Sequence, residues 1–366
     1  MNNVHISALH IETYRGIKNL KLDGITGINI LTGDNNCGKT SVMELLNTLI
    51  DPTQAQIWQS LIRRPFGLGR NISYYEGFID LFDKSSIEEP KIKYSIIDSE
   101  HKEHDVSAFY EIKQESVATS TANQKSKVKF STEEKRIIAN RLYLSFCYNE
   151  RSKNTYKIYE FQDTPDFLLE GEKNSDFYKS IVYVSPTAHA KNTVFLDEVL
   201  NNSELYPEML SILQDFDSDI ISINQYSFSN TSNEYCGILT KKFKNALPLN
   251  MYGDGMKKAI LLMSAVVAAK GGVLLIDEFE TAIHTSAMDK IFSWILKTCK
   301  KLDVQLFMTT HSKEALQKVL ALNAEPELKD DITLYTLYKK DEKNISRRLS
   351  AERAIEADEN FGLELR

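Results

Sequence analysis

Residues 33 to 40 of the chain decide the fold, and they read Gly33-Asp34-Asn35-Asn36-Cys37-Gly38-Lys39-Thr40. The stretch matches the pattern G-x-x-x-x-G-K-[ST], whose glycines let the backbone wrap around a phosphate group without a clash from a Cβ atom. The backbone N–H groups of such a loop, and the start of the helix after it, point at the anion. We therefore predict a phosphate-binding loop here.

Both flanks of this loop have the character that phosphate binding requires. Ile28 to Leu31 is a short apolar strand, and apolar residues recur at helical intervals from Thr40 to Pro52. Lys39 is expected to neutralise the β and γ phosphates of a nucleoside triphosphate, and the Thr40 hydroxyl is expected to bind Mg²⁺. ATP and Mg²⁺ are the predicted cofactors. The loop residues expected to contact them are Gly33, Asn35, Asn36, Cys37, Gly38, Lys39, Thr40 and Ser41.

An acidic pair ends an apolar strand much later in the chain, in Val273-Leu274-Leu275-Ile276-Asp277-Glu278. Buried strands of a parallel sheet have this composition, and ligands bind beyond their C-terminal ends. Asp277 is expected to hold the metal, and Glu278 is expected to orient and polarise the attacking water.

The next predicted strand ends in Thr309-Thr310-His311-Ser312. A lone histidine after a strand is usually structural. Because this strand is expected to lie beside the Asp277 strand, His311 can face the same phosphate and donate a hydrogen bond to it or to the attacking water. We count Glu278, His311 and Lys39 as the candidate catalytic residues.

Two glycines stand at the start of a long apolar helix, in Tyr252-Gly253-Asp254-Gly255-Met256-Lys257-Lys258. A helix entry of this kind is a second candidate anion site, with Gly253, Asp254 and Gly255 as its contacts. A simple turn that serves only backbone geometry is the alternative interpretation.

Composition excludes several protein classes. The 366 residues carry a net charge of −7, with 42% hydrophobic and 26% charged residues, as in ordinary globular proteins. The four cysteines form no CxxC pair, so no zinc site or disulfide framework is indicated. The first residues lack the features of a secretory signal, and no apolar stretch is long enough to span a bilayer. We expect a cytoplasmic protein that does not associate with membranes.

Taken together, these motifs resemble the ABC-class ATPases that include RecF-like, Rad50-like and OLD-like proteins, many of them described as AAA-family ATPases. Ile11 to Ile17 resembles the N-terminal strand pair, where Arg15 is a candidate nucleotide contact. Pro248 to Lys258 resembles the signature motif, Ile276 to His284 the Walker B pair with the D-loop, and Met308 to Ser312 the switch. The chain's last six residues, 361–366, resemble the end of stand-alone members.

The resemblance implies an α/β fold: an ABC-type P-loop ATPase head with a mixed central sheet, an antiparallel β lobe and a helical subdomain. We divide the chain into a first ATPase lobe at 1–188, a helical and hairpin subdomain at 189–249, and a second lobe at 250–366. Within the first lobe, the polar residues 114–129 are predicted to be a flexible insertion. Residues 193–223 are predicted to be helical.

Two features of the sequence depart from the family pattern. Asn250 and Met251 stand where the signature has a small polar residue, and Ala282 replaces the D-loop glycine. The Q-loop glutamine is left open among Gln54, Gln56 and Gln59.

The resemblance also implies a homodimer or higher homo-oligomer with ATP at its interface. The ATP would lie between the phosphate loop of one subunit and the Gly253–Gly255 turn of the other. OLD nucleases carry a C-terminal acidic metal domain, and the chain continues for only about 55 residues after His311. We therefore expect a separate effector protein, such as a nuclease or toxin.

Three functions fit this sequence. The first is the ATPase subunit of a bacterial antiphage defence system that controls a separate effector. The second is a RecF-like repair ATPase that clamps DNA, which the acidic net charge disfavours. The third is a scaffold in which ATP only stabilises an oligomer.

Overall fold

The computed structural model describes residues 3–62, 73–84, 90–118, 136–150, 152–161, 176–177, 179–191, 194–227, 234–341 and 343–361. Residues 119–129 of the predicted flexible insertion lie outside these ranges. Residues 114–118 belong to a strand that pairs with its neighbour. Of the chain end that carries part of the family resemblance, residues 362–366 also lie outside the described residues.

The strands and helices are numbered along the chain. The strands are β1 (Ile6–Tyr14), β2 (Ile17–Asp23), β3 (Ile28–Gly33), β4 (Lys91–Asp98), β5 (Glu103–Ala118), β6 (Arg136–Tyr148), β7 (Ser152–Tyr159), β8 (Ile181–Val184), β9 (Ile220–Ser227), β10 (Glu234–Thr240), β11 (Leu247–Pro248), β12 (Val273–Ile276), β13 (Gln305–Thr309), β14 (Ile332–Lys340) and β15 (Lys343–Ser350). The helices are α1 (Lys39–Thr48), α2 (Ala55–Ile62), α3 (Tyr74–Ile79), α4 (Leu196–Leu200), α5 (Leu205–Phe216), α6 (Asp254–Ala268), α7 (Thr285–Lys301), α8 (Lys313–Ala321) and α9 (Ala351–Phe361).

A six-stranded mixed sheet forms the centre, in the order β15-β14-β3-β13-β12-β8. Its strands run parallel except β15, which pairs antiparallel with β14 along the edge. Because parallel strands end at the same edge of a sheet, the ends of β3, β13 and β12 lie side by side. The phosphate loop, the switch and the acidic pair follow those three ends.

The central sheet separates two hydrophobic cores. Leu274 and Ile276 of β12 face a core built with α6 and α7, whereas Val273 and Leu275 face a core shared with α1 and the antiparallel strands. All four side chains are fully buried. This continuous apolar run is what a strand covered on both faces requires.

An antiparallel sheet of six strands, β2-β1-β4-β5-β6-β7, forms the β lobe that the sequence predicts. The alternation of apolar residues in β1 and β2 is confirmed, since Leu9 and Leu22 are opposite each other in the pair and both are buried. A three-stranded sheet, β11-β10-β9, lies in the segment between the two lobes.

The helical prediction for residues 193–223 is wrong at its end. Helices α4 and α5 occupy part of it, but Ile220 begins strand β9, which pairs with β10. The cause is local: Ile220 and Ile223 are buried against the core, and ladder pairing to β10 overrides the helical spacing of the residues before them.

The division at residues 188 and 249 stays a prediction. The core on the α6 side joins residues of α4, α5, β9 and β10 with those of the second lobe. In the part of the chain that the structure describes, no helix is both long and apolar enough to cross a bilayer.

Candidate functional site

The phosphate loop joins β3 to α1 through two glycines whose conformations favour this residue. Gly33 has a φ of 132°, and a Cβ there would lie 2.0 Å from the carbonyl oxygen of Leu337. Gly38 has a φ of 106° directly before α1, and its Cβ would lie 2.7 Å from the Ile17 side chain. Both positions therefore need glycine. This is typical of a loop whose backbone N–H groups surround an anion.

Lys39 is the first residue of α1 and its side chain is buried. Its ammonium group donates to the carbonyl oxygens of Gly33 at 2.7 Å and Asp34 at 2.9 Å, and lies 3.6 Å from the Cys37 sulfur. The loop thus places a fixed positive charge within its own curve, where a phosphate would need it.

A residue from the far edge of the sheet holds the same loop. Asn344 of β15 donates to the carbonyl oxygen of Cys37 at 3.2 Å, and its side-chain oxygen accepts from the N–H of Lys18 at 3.1 Å. Asn344 is buried. It therefore ties the phosphate loop to the start of β2.

Asp277 follows β12, and its carboxylate accepts hydrogen bonds from the hydroxyl groups of neighbouring segments. The Thr40 hydroxyl lies 3.4 Å from its Oδ1, the Thr309 hydroxyl donates to Oδ1 at 2.5 Å, and the Tyr183 hydroxyl lies 3.4 Å from Oδ2. Asp277 is 2% exposed. Residues 237 positions apart in the sequence thus meet at one point.

Glu278 is held in a strained backbone conformation. Its φ is 49°, which is uncommon for a residue with a side chain, and its N–H donates to the Thr309 hydroxyl at 2.8 Å. Its Oε2 accepts from the Thr281 hydroxyl at 3.3 Å. Strained residues of this kind cluster at functional sites.

His311 has an exposed side chain at the end of β13. The carboxylate of Glu280 accepts from the backbone N–H groups of His311 at 3.0 Å and Ser312 at 3.2 Å. The N–H of Thr310 bonds to the carbonyl oxygen of Leu31, which joins this turn to the strand before the phosphate loop. The switch turn is therefore attached to both neighbouring strand ends.

Arg15 lies beside α1 in the turn after β1, with a φ of 50°. It forms an ion pair with Glu44 at 3.2 Å and donates to the carbonyl oxygen of Leu61 at 3.1 Å. Tyr14 donates to the same Glu44 carboxylate at 3.0 Å. These contacts fix the turn against the helix that begins with Lys39.

The Gly253–Gly255 turn lies against the D-loop of its own chain. Gly253 precedes α6 and Asp254 begins it. A Cβ on Gly255 would be 3.2 Å from the carbonyl oxygen of Ala282. Ala282 has a φ of 68°, the conformation that favours the glycine found there in the family.

The three candidates for the Q-loop glutamine lie close together in the chain. Gln54 precedes α2, and Gln56 and Gln59 lie within it.

Sequence reasoning missed several residues that build this site. Asn344 gives no local signal, because its partner lies 307 positions away. Glu280 lies within the Walker B and D-loop stretch, and Thr309 lies within the switch. The sequence therefore shows both residues but not the hydrogen bonds that they form. Tyr183 and Glu44 belong to no sequence motif that would predict their place at this site.

The oxygen atoms of Thr40 and Asp277 suit a magnesium ion. Mg²⁺ prefers oxygen ligands and is usually bound by one or two protein groups together with water and substrate phosphates. Among the described residues, no group of three or more His, Cys, Asp or Glu side chains is arranged to hold a metal by itself. A hydroxyl and a buried carboxylate 3.4 Å apart beside the phosphate loop fit that mode of binding.

Comparison with known proteins gives the family. Residues 28–316 match the family model described as "AAA domain, putative AbiEii toxin, Type IV TA system". The chain belongs to this family. Its resemblance to ABC-class ATPases is thereby confirmed, and the protein is an ATPase of that class.

Two relatives are similar to this chain in sequence. A Helicobacter pylori protein named ATP/GTP phosphatase is 25% identical over 93% of this chain and 95% of its own length. An uncharacterized Methanocaldococcus jannaschii protein is 34% identical over 31% of this chain and 98% of its own length.

A solved structure shows the same fold. The SmcHead bound to the C-winged helix domain of ScpA superimposes with a TM-score of 0.50 at 12% identity, over 96% of this chain and 99% of that one. The predicted fold class, an ABC-type ATPase head, is confirmed.

Proposed function

We propose that this ATPase binds and hydrolyses ATP at the common edge of β3, β12 and β13, and that hydrolysis switches its association with a second copy. The observation that carries the proposal is the meeting of Thr40, Asp277 and Thr309 within hydrogen-bond distance beside a glycine loop. The name of the Helicobacter pylori relative, ATP/GTP phosphatase, supports the same reaction class.

Each residue has a defined part in this reaction. Lys39 and the loop N–H groups bind the β and γ phosphates, and Thr40 with Asp277 holds Mg²⁺. When bound, Mg²⁺ neutralises charge on the phosphate oxygens. Asp277 keeps its carboxylate oriented through the Thr309 hydroxyl.

Glu278 orients and polarises the water that attacks the γ phosphate, and its fixed backbone aims the carboxylate. His311 donates a hydrogen bond to the phosphate or the water. Its exposed side chain is free to meet a substrate bound outside the strand ends.

A second copy of the chain would complete the site. The Gly253–Gly255 turn lies at the start of α6 and faces solvent, since Gly253 and Asp254 are exposed and Met251 is 69% exposed. N–H groups at a helix start bind anions, so this turn is suited to the ATP held by a partner. We propose a head-to-tail homodimer that closes on ATP and opens after hydrolysis.

The biological role that we propose is the ATPase subunit of a bacterial antiphage defence system that controls a separate effector. The family description, which names a toxin and a toxin–antitoxin system, supports this. Two short basic stretches, at residues 241–244 and 300–301, contain lysines with acidic partners: Lys242 pairs with Asp219, and Lys301 pairs with Glu204.

A Glu278→Gln variant tests the reaction. We expect hydrolysis to fall about 100-fold or more, because the general base is lost, while ATP binding is retained. The variant should also accumulate as a dimer in the presence of ATP, measured by light scattering. Unchanged turnover would contradict the proposal and favour a scaffold in which ATP is structural.

A phage challenge tests the biological role. Cells carrying the gene with its genomic neighbours should lose protection when Lys39→Ala replaces the wild-type chain at equal expression. Full protection by that variant would show that the ATP switch is not what defence depends on.

A further inference from the structure

Lys258 is a buried lysine in the second turn of α6, three residues after Gly255. Its side chain is fully buried, and among the described residues its ammonium group has no hydrogen-bond partner. Lysine is almost never buried without a partner, because the charge loses its hydration. Burial lowers the pKa of Lys258 to about 8, and the carboxylates of Glu280, Asp277 and Glu278 oppose this decrease. The negative charges that act on Lys258 are therefore those of the catalytic loop.

Glu280 is the carboxylate in that loop with bonding capacity left over. Its Oε1 accepts from the N–H groups of His311 and Ser312, whereas its Oε2 is buried and has no hydrogen-bond partner in the described part of the chain. A buried carboxylate oxygen without a hydrogen-bond donor is unfavourable. Glu280 thus has one oxygen on the switch turn and one that lacks a donor.

The segments that carry these two residues are in direct contact. The Gly255 position approaches the carbonyl oxygen of Ala282 closely enough that a Cβ would be 3.2 Å from it. A displacement of the Gly253–Gly255 turn therefore moves the D-loop backbone, two residues after Glu280. Close packing of this kind transmits small shifts rather than absorbing them.

A histidine lies near the same cation. His189, in the turn after β8, is buried, and its Nδ1 has no hydrogen-bond partner among the described residues. Burial lowers the pKa of His189, and the charge of Lys258 lowers it further. A neutral His189 adds no second positive charge beside Lys258, and the Glu280 Oε2 still lacks a donor.

We propose that Lys258 is a positioning residue that couples the Gly253–Gly255 turn to the switch histidine of the same subunit, through Glu280. Movement of α6 brings the ammonium group toward or away from the free Glu280 oxygen, and the Glu280 carboxylate carries the His311–Ser312 turn with it. The inference rests on the proposed function, because it assigns the switch a role in hydrolysis.

The coupling has a consequence for a head-to-tail pair. The turn of one subunit would sense ATP held by its partner, whereas His311 acts on ATP held by its own subunit. Lys258 and Glu280 would then link the two sites, so that both act together.

A double-mutant cycle with Lys258→Met and Glu280→Gln tests this link. We expect each variant to lower kcat for ATP hydrolysis about tenfold while KM stays within about twofold, since Lys39 and Thr40 are untouched. The double variant should be no worse than either single one, because coupled residues are not additive. Hydrogen exchange at the amides of residues 310–312 should rise in Lys258→Met, although among the described residues the lysine ammonium group has no hydrogen bond to them.

The control is Lys301→Met, which removes an exposed lysine that pairs with Glu204 outside this loop. It should leave kcat and amide exchange unchanged. If Lys258→Met fails to fold, the nearly isosteric Glu280→Gln carries the test through the same split between kcat and KM.

Two outcomes would overturn the coupling. One is wild-type kcat in Lys258→Met or in Glu280→Gln, and the other is a double variant whose losses multiply. If hydrolysis depends on Glu278 but not on Lys258, only the coupling fails. If the Glu278→Gln variant still hydrolyses ATP normally, the proposed function fails instead.

Discussion

The hydroxyl of Thr309 lies 2.5 Å from Oδ1 of Asp277 and also accepts the backbone N–H of Glu278 at 2.8 Å. One buried side chain thus holds both members of the acidic pair, the first by its carboxylate and the second by its backbone. Since Thr309 ends β13 and the acidic pair directly follows β12, the parallel pairing of these strands sets the distance between Thr309 and the pair.

A Thr309→Val substitution removes the hydroxyl and keeps the shape of the side chain, so it tests the hydrogen bonds alone. We expect it to lower the free energy of unfolding by about 1–3 kcal/mol, because the buried Asp277 carboxylate loses a donor. Hydrolysis should fall about tenfold, measured as kcat. The Thr309→Ser control keeps the hydroxyl and should retain most of the activity. Equal kcat in the Val and wild-type forms would show that Thr309 does not orient the pair.

Replacing Asn344 should weaken the attachment of the phosphate loop to β15. In Asn344→Ala, the Cys37 carbonyl and the Lys18 N–H lose their partner. We expect nucleotide affinity to weaken about tenfold, corresponding to about 1.4 kcal/mol. Titration with a fluorescent nucleotide measures this. The exposed neighbour Lys343→Ala serves as the control and should bind normally; equal affinity of all three proteins would rule out support from β15.

Ala282 should tolerate glycine better than other alanines do. Its φ of 68° costs an L-residue about 1–2 kcal/mol, whereas glycine loses about 0.5–1 kcal/mol of chain entropy. Ala282→Gly is therefore expected to be neutral or to stabilise the fold by up to about 1 kcal/mol in urea denaturation. In contrast, Ala357→Gly inside α9 should destabilise it by about 1 kcal/mol. Similar losses at both positions would contradict the strained conformation.

Lys258 should make stability depend on pH in a definite direction. Its pKa falls from 10.5 in the unfolded chain to about 8 in the fold. Below about pH 8 both states are charged, and the folded state carries a penalty of about 3 kcal/mol. The penalty disappears as the pH rises toward 10.5, because the folded lysine has then released its proton.

The Lys258→Met variant should therefore be more stable than the wild type at pH 7, and the difference should shrink by pH 9.5. Urea denaturation at the two pH values measures this, with Lys301→Met as the control. A Lys258→Met protein that is less stable at pH 7 would contradict an uncompensated buried charge. If Lys258→Met is more stable but hydrolyses ATP more slowly, Lys258 contributes to activity and not to stability.

Local patterns determined much of this protein. The phosphate loop, the apolar strand before Asp277 and the helix after Gly253 all follow from residues within about ten positions of one another, which is the range over which periodicity and turn chemistry act. Through the family resemblance that they carry, those patterns predicted the ABC-type fold, and the likeness to the SmcHead structure confirms it.

Only the tertiary structure decided which distant residues meet. The partners of the loop and the acidic pair, Asn344 and Thr309, come from β15 and β13, whose positions depend on strand order and register across the whole sheet. The unpartnered ammonium of Lys258 could not be read from its place in an apolar helix. Pairing and burial are properties of the assembled core, and a linear sequence carries no local signal of either.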